Sequence, residues 1–156
     1  LPRSKLTDVI GNRGESIFEL AITEYENRSS PLFRPAFVGE KWPAVDYYVE
    51  LHGARGVFFA QVKATAEPLG VNSISVRLKR EKRDALARLP DPTYLVGVHE
   101  PSRRCFIRSI DRSSRTGVTS ILLANELNAA NLQTLFDEIK AFWAAGTYKP
   151  NQSAFS

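Results

Sequence analysis

The chain has 156 residues, 43% hydrophobic and 24% charged, the balance of one globular domain and not of a disordered tail or a fibre. A single Cys105 excludes an internal disulfide, and two histidines beside it exclude the usual Cys/His structural zinc site. No apolar run approaches the ~20 residues of a membrane span, and Leu1-Pro2-Arg3-Ser4-Lys5 lacks the apolar stretch of a signal peptide, so a cytoplasmic protein without membrane contact is expected. Methionine is absent even as an initiator, which predicts a longer parent product. With 21 basic against 17 acidic residues, the net charge of +4 favours polyanionic partners. The charges cluster: Arg77, Lys79, Arg80, Lys82, Arg83 and Arg88 fall in one stretch, Arg103, Arg104, Arg108, Arg112 and Arg115 in another.

In chain order, Asp8 and Asn12 are candidate N-caps of a first helix that buries Ile17, Phe18, Leu20, Ala21 and Ile22 and fades by Asn27. Leu32 to Val38 is short and carries Pro35, as an edge strand would. Asp46 to Leu51 and Val57 to Lys63 are rich in aromatic and β-branched residues, and the intervening His52 to Gly56 holds two glycines, so a hairpin is predicted. Ile74, Val76 and Leu78 alternate like a strand. Arg80 to Leu89 reads as a helix with Ala85, Leu86 and Leu89 on its apolar side, stopped by Pro90 and Pro92. Thr93 to Val98 is a buried strand that turns at Glu100-Pro101-Ser102 into another from Arg104 to Ile110, and Val118 to Leu123 is extended. Leu127 to Trp143 closes the chain as an amphipathic helix over Leu132, Leu135, Phe136, Ile139 and Phe142, with Gly146 past its end. The class is therefore mixed α/β or α+β.

The hairpin carries the chemistry. A period of two puts Asp46, Tyr48 and Glu50 on one face of its first strand, and Phe59, Gln61 and Lys63 on one face of its second. A turn centred between Ala54 and Arg55 sets Asp46 opposite Lys63 and Tyr48 opposite Gln61. Such a group brings a carboxylate, an amide oxygen and an ammonium together. Mg²⁺ takes oxygen ligands of this kind, and a nearby lysine can orient or deprotonate an attacking water, which suffices for phosphodiester hydrolysis.

Pro43-Ala44-Val45-Asp46, then a hairpin, then Gln61-Val62-Lys63 resembles the core of the PD-(D/E)XK nuclease superfamily, in the Mrr-type variant with glutamine at the first position of the last triplet. The upstream Gly11-Asn12-Arg13-Gly14-Glu15 is similar to the first-helix motif of those enzymes and of archaeal Holliday-junction resolvases. The resemblance runs from about Gly11 to Ile110, leaving 111–156 as a C-terminal extension. It implies a restriction-endonuclease-like core, a mixed sheet flanked by helices in the order αβββαβ. It further implies Mg²⁺, with Mn²⁺ as a substitute, held by Asp46, Gln61 through its amide oxygen, Val62 through its carbonyl and Glu15, with Lys63 catalytic. Glu19, one turn beyond Glu15 on the same helix face, satisfies the helix position equally. The implied substrate is DNA, cut in restriction of foreign DNA or in DNA processing. Lys79, Arg80, Arg83, Arg103 and Arg104 would hold its phosphates, and a homodimer would cut both strands. Two departures stand out: a neutral Gln61 lowers the expected metal affinity, and Val45 precedes Asp46 where the family has proline.

Competing readings are plainer. A glutamate pair on an amphipathic helix is usually solvated, Gln61 and Lys63 could be an edge-strand polar face, and Asp46 a turn residue at a strand entry. The same core could bind nucleic acid without catalysis. Gly11 to Gly14 also resembles the GXXG loop of KH domains, a turn between two helices that clamps single-stranded RNA. His52 and His99 read as turn and strand-end residues, and Trp42, Tyr47, Tyr48 and Trp143 as core or rim aromatics. No P-loop, dinucleotide-binding glycine motif or GxSxG elbow is present, so no nucleotide cofactor is expected.

Overall fold

Near-continuous apolar runs along the central strands give a sheet with two buried faces, and the computed structural model shows what covers each. It describes residues 3–26, 28–39, 42, 44–110, 117–146 and 153–156. The elements are α1 (Arg3–Ile22), β1 (Phe33–Phe37), β2 (Tyr47–Leu51), β3 (Val57–Thr65), β4 (Ser73–Leu78), α2 (Arg80–Ala87), β5 (Thr93–His99), β6 (Arg104–Ser109), β7 (Val118–Leu122), a 3-10 turn at Leu123–Asn125, and α3 (Ala129–Ala145). This is a mixed α+β fold. Five strands form the main sheet in the order β1-β2-β3-β5-β6. Among the described residues only the β3–β5 pair is parallel; β4 and α2 make its crossover. Against the expected order αβββαβ, one more strand precedes the crossover helix: β4 leaves the sheet and pairs with β7 in a separate antiparallel ribbon.

On one face, Phe58, Ala60 and Val62 of β3 and Tyr94, Val96 and Val98 of β5 meet Ile17, Phe18 and Ile22 of α1 and Leu132, Leu135 and Ile139 of α3. On the other, Phe59 and Leu95 meet Ile74, Val76 and Leu78 of β4, Leu86 of α2 and Ile121 of β7. Each such buried side chain contributes roughly 1.5–3 kcal/mol of transfer free energy, so the two cores fix the three layers. Among the described residues no helix is long and apolar enough to cross a membrane.

Several local expectations shift. The first helix begins before Asp8 and Asn12, so neither caps it, and Gly11 to Gly14 is continuous helix. No turn exists there for a KH-type clamp. Leu20 is 74% exposed, because at about 100° per residue it lies roughly 200° from Phe18. Asn27 is outside the described residues. In α2 the buried positions are Arg83, Leu86 and Ala87, while Ala85 is exposed. Helix α3 starts at Ala129 because Asn128 caps it, its side chain accepting from Asn131 N–H at 2.9 Å, and it ends on Gly146 at φ 64.

The hairpin register moves by two residues. Leu51 N–H donates to Gly56 O and Tyr48 sits opposite Phe59, so the turn centres between Gly53 and Ala54. A shift of two preserves the faces and brings Asp46 level with Gln61 instead of Lys63.

Gly14 sets the distance between α1 and β3. A Cβ there would lie 2.6 Å from the Ala64 Cβ, whereas one at Gly11 would meet nothing within 4 Å. Gly14→Ala should therefore cost about 1–3 kcal/mol by overpacking. Gly11→Ala should gain about 0.5–1 kcal/mol from helix propensity. Urea unfolding of the two variants checks this; equal effects would mean that α1 does not depend on the close approach.

Candidate active site

Strand β2 stops pairing at Tyr47, opposite Ala60, while β3 runs on to Thr65. The next β3 donor on that edge, Val62 N–H, has no strand carbonyl to meet. The Asp46 side chain replaces it: Oδ2 accepts from Val62 N–H at 2.8 Å and from Gln61 Nε2 at 2.8 Å. Asp46 N–H itself donates to Ala60 O at 3.0 Å, which fixes the backbone beneath the carboxylate. Just before it, Ala44 has φ 66, a left-handed conformation costing a non-glycine residue about 1–2 kcal/mol. Pro43 lies outside the described residues.

Helix α1 approaches over Gly14 and sets Glu15 in the field of Asp46. Glu19 is engaged elsewhere, since Tyr47 Oη donates to its Oε1 at 2.7 Å. The structure thus separates the two helix glutamates: Glu15 couples to Asp46, and Glu19 to a buried tyrosine. Lys63, on the Gln61 face of β3, is half-buried and lies in the field of Lys82 of α2.

Burial, and to a smaller extent Asp46 and Glu19, holds the Glu15 carboxyl above its ordinary pKa. Burial likewise raises that of Asp46, against the opposing pull of the Val62 amide, Lys63 and Lys82. Burial lowers the pKa of the Lys63 ammonium, and Lys82 lowers it further. The site therefore holds two carboxylates and two ammonium groups, each kind crowded against its own.

These residues suit a hard divalent cation: two carboxylates, with the Gln61 amide and the Val62 carbonyl beside them. The Gln61 amide presents its N–H to Asp46, and a half-turn would present its oxygen. Among the described residues no three His, Cys, Asp or Glu side chains gather to hold a metal, so solvent and substrate would fill the rest of such a coordination shell.

The basic residues fare differently. Lys79, Arg80 and Arg103 are exposed. Arg83 departs from the expectation: it is only 4% exposed and hydrogen-bonds to Asp84 Oδ1 at 2.9 Å, so its guanidinium is not displayed to a polyanion. Arg104 donates to Glu126 Oε1 and lies over the Phe106 ring, so its charge is already matched. Arg112 and Arg115 lie outside the described residues. Sequence reasoning passed over Lys82 as a site residue, Tyr47 as the partner of Glu19, and Ala44. Only Lys82 carried a signal, as part of the basic run beginning at Arg77. Compared with models of known protein families and with curated proteins, the chain matches none.

The raised carboxyl pKa values carry a pH signature. The folded state holds these protons more tightly than the unfolded chain, so stability falls as pH rises from about 4, the unfolded carboxyl value, through the raised folded values. Asp46→Asn keeps an acceptor for Val62 N–H and removes the charge. It should unfold at a higher urea midpoint than the wild type at pH 7 and show a shallower fall between pH 4 and 7. A lower midpoint at pH 7 would place the charge of Asp46 among the stabilising interactions.

Proposed function

We propose that this chain is a Mg²⁺-dependent nuclease that hydrolyses DNA phosphodiester bonds, on a restriction-endonuclease-like core. The observation that carries the reading is the meeting of Asp46, Gln61 and Val62 at the divergence of β2 from β3, with Lys63 next along the strand and Glu15 brought in by α1. The meander β1-β2-β3, followed by a crossover to the parallel β5, agrees with it.

Asp46, Glu15, the Val62 carbonyl and the amide oxygen of Gln61 would hold the ion, which supplies Lewis-acid stabilisation of charge on the phosphoryl oxygens. The protein's own residues do the rest. Asp46 is locked by two hydrogen bonds on one oxygen, so its other oxygen keeps a fixed direction. Lys63, its pKa lowered by burial, acts as the neutral amine, orienting a water and taking its proton at Nζ as the water oxygen attacks phosphorus and the P–O ester bond breaks, the departing oxygen taking a proton from solvent. Exposed Lys79 and Arg80 at the start of α2 neutralise flanking phosphates.

A second reading, the same core as a non-catalytic nucleic-acid-binding module, draws on the neutral Gln61, which satisfies Asp46 without any ion. The experiment is single-turnover cleavage of labelled DNA with Mg²⁺ or Mn²⁺, beside direct binding. Asp46→Ala should abolish cleavage. Lys63→Ala should lower the rate on the order of 10²–10⁴-fold while binding persists. Gln61→Glu should tighten Mg²⁺ binding by calorimetry and lower the metal-free stability, because it sets a second carboxylate against Asp46. Cleavage indifferent to Asp46 and Lys63 would remove this site from the reaction. Wild-type binding without cutting by either metal would leave the binding module.

A further inference from the structure

Beside the proposed cleavage site lies an aromatic surface that the chemistry does not use. Trp42 is 46% exposed, and its ring packs on Phe59 at 5.2 Å, tilted by 36°. Tyr48 adjoins the same Phe59 ring at 5.8 Å. The indole is therefore backed by Phe59, itself packed on Tyr48, and nearly half open to solvent. Phe59, Gln61 and Lys63 follow one another on a single face of β3, at about 6.6 Å per step. The row thus runs from Trp42 through Phe59 and the Asp46–Gln61 pair to Lys63 and, across from it, Lys82. At its far end Lys63 and Lys82 lie in each other's field, with Lys79 also in electrostatic reach. Ammonium groups so placed repel one another, and an anion between them relieves the repulsion.

We propose that this row takes a short unpaired stretch of strand, a base stacked on Trp42 and a neighbouring phosphate held by Lys82, so that the substrate is single-stranded or locally unpaired DNA. The inference rests on the nuclease reading and names its substrate class. In intact duplex the bases are stacked on each other and offer no face to an indole. In a single strand every base has a free face, and stacking on an aromatic side chain tolerates any sequence. The charge complements this use, because the lysines lie on the same side of the sheet as the indole.

The test measures binding in EDTA, where nothing is cut, by anisotropy of a labelled oligothymidylate and of a blunt duplex, with tryptophan emission followed in parallel. The wild type should bind the single strand more tightly than the duplex, with quenching of tryptophan emission. Trp42→Ala should lose about 5- to 150-fold of single-strand affinity, the equivalent of 1–3 kcal/mol per stacked base, and little of its duplex affinity. Trp42→Phe should keep most of the affinity and lose the quenching, which keeps the test decisive if the alanine variant misfolds. Lys82→Ala should lower the slope of log affinity against log salt by about 0.7 on the single strand. Single-strand affinity and quenching indifferent to Trp42, or a duplex bound more tightly, would overturn the proposal. A free mononucleotide bound as tightly as the oligonucleotide would overturn it in favour of a nucleotide site. Duplex cleavage with Mg²⁺ that ignores Trp42 would overturn this inference and leave the nuclease reading. Single-strand binding through Trp42 without cleavage by Mg²⁺ or Mn²⁺ would overturn that reading and leave the stacking surface.

Discussion

The arrangement depends on one unequal pairing, β2 ending at Tyr47 while β3 continues to Thr65. A strand that outruns its neighbour leaves backbone donors and acceptors on its edge, and buried ones must find partners. Here the partner is a carboxylate, Asp46 Oδ2 on Val62 N–H, and this substitution of a side chain for a strand puts charge into a half-buried place. On the other edge β3 pairs with β5 in parallel from Phe59 to Thr65, so the gap cannot close by a slip of β3. Gly14 then lets α1 come within reach of Ala64, and Glu15 follows from that approach.

The electrostatics of the site oppose folding. Burial pushes Asp46, Glu15 and Lys63 each toward its neutral form, and Lys82 and Glu19 add like charge to what they face. Ala44 adds backbone strain beside the same aspartate. Surrounding structure over-determines these positions: Tyr47 holds Glu19, Phe18 meets the Tyr47 ring at 5.0 Å edge-on, and two cores clamp β3 from both faces. Perturbed titrating groups of this kind gather where charge is to be used, although structural networks produce them too.

The sheet faces were legible because strand alternation survives errors of register. The hairpin turn moved by one residue and the register by two, yet Asp46, Gln61 and Lys63 stayed on one side. Helix limits were less legible. Asp8 and Asn12 read as N-caps although the helix begins at Arg3, and the close packing of Gly14 on Ala64 supplies a tertiary reason for glycine inside it. Leu20 and Ala85 show the same limit, since hydrophobicity does not say which side of a short helix meets the sheet. Arg83 is the counterpart among charged residues: the basic run predicted display, but its own helix turns it inward beside Leu86 and Ala87. Lys82 stood in the basic run but was not singled out as a site residue, because Lys63 is nineteen positions earlier in the chain and meets it only through the crossover.

Gln61 is where local stability and the proposed chemistry pull apart. A carboxylate there would add negative charge for a cation, but without one it would face Asp46 across a hydrogen-bond distance, with both groups half-buried or more. The amide removes that repulsion and donates to Asp46, so the strand junction is stable on its own. The consequence on the proposed reading is a site that assembles before its ion and binds it weakly, because its negative charge comes from Asp46 and Glu15 alone. Lys63 and Lys82 deepen the imbalance, since cations beside a cation site disfavour metal until an anion arrives to offset them. Phosphate supplies that anion, so ion and substrate should bind with positive coupling, each neutralising the charge that repels the other.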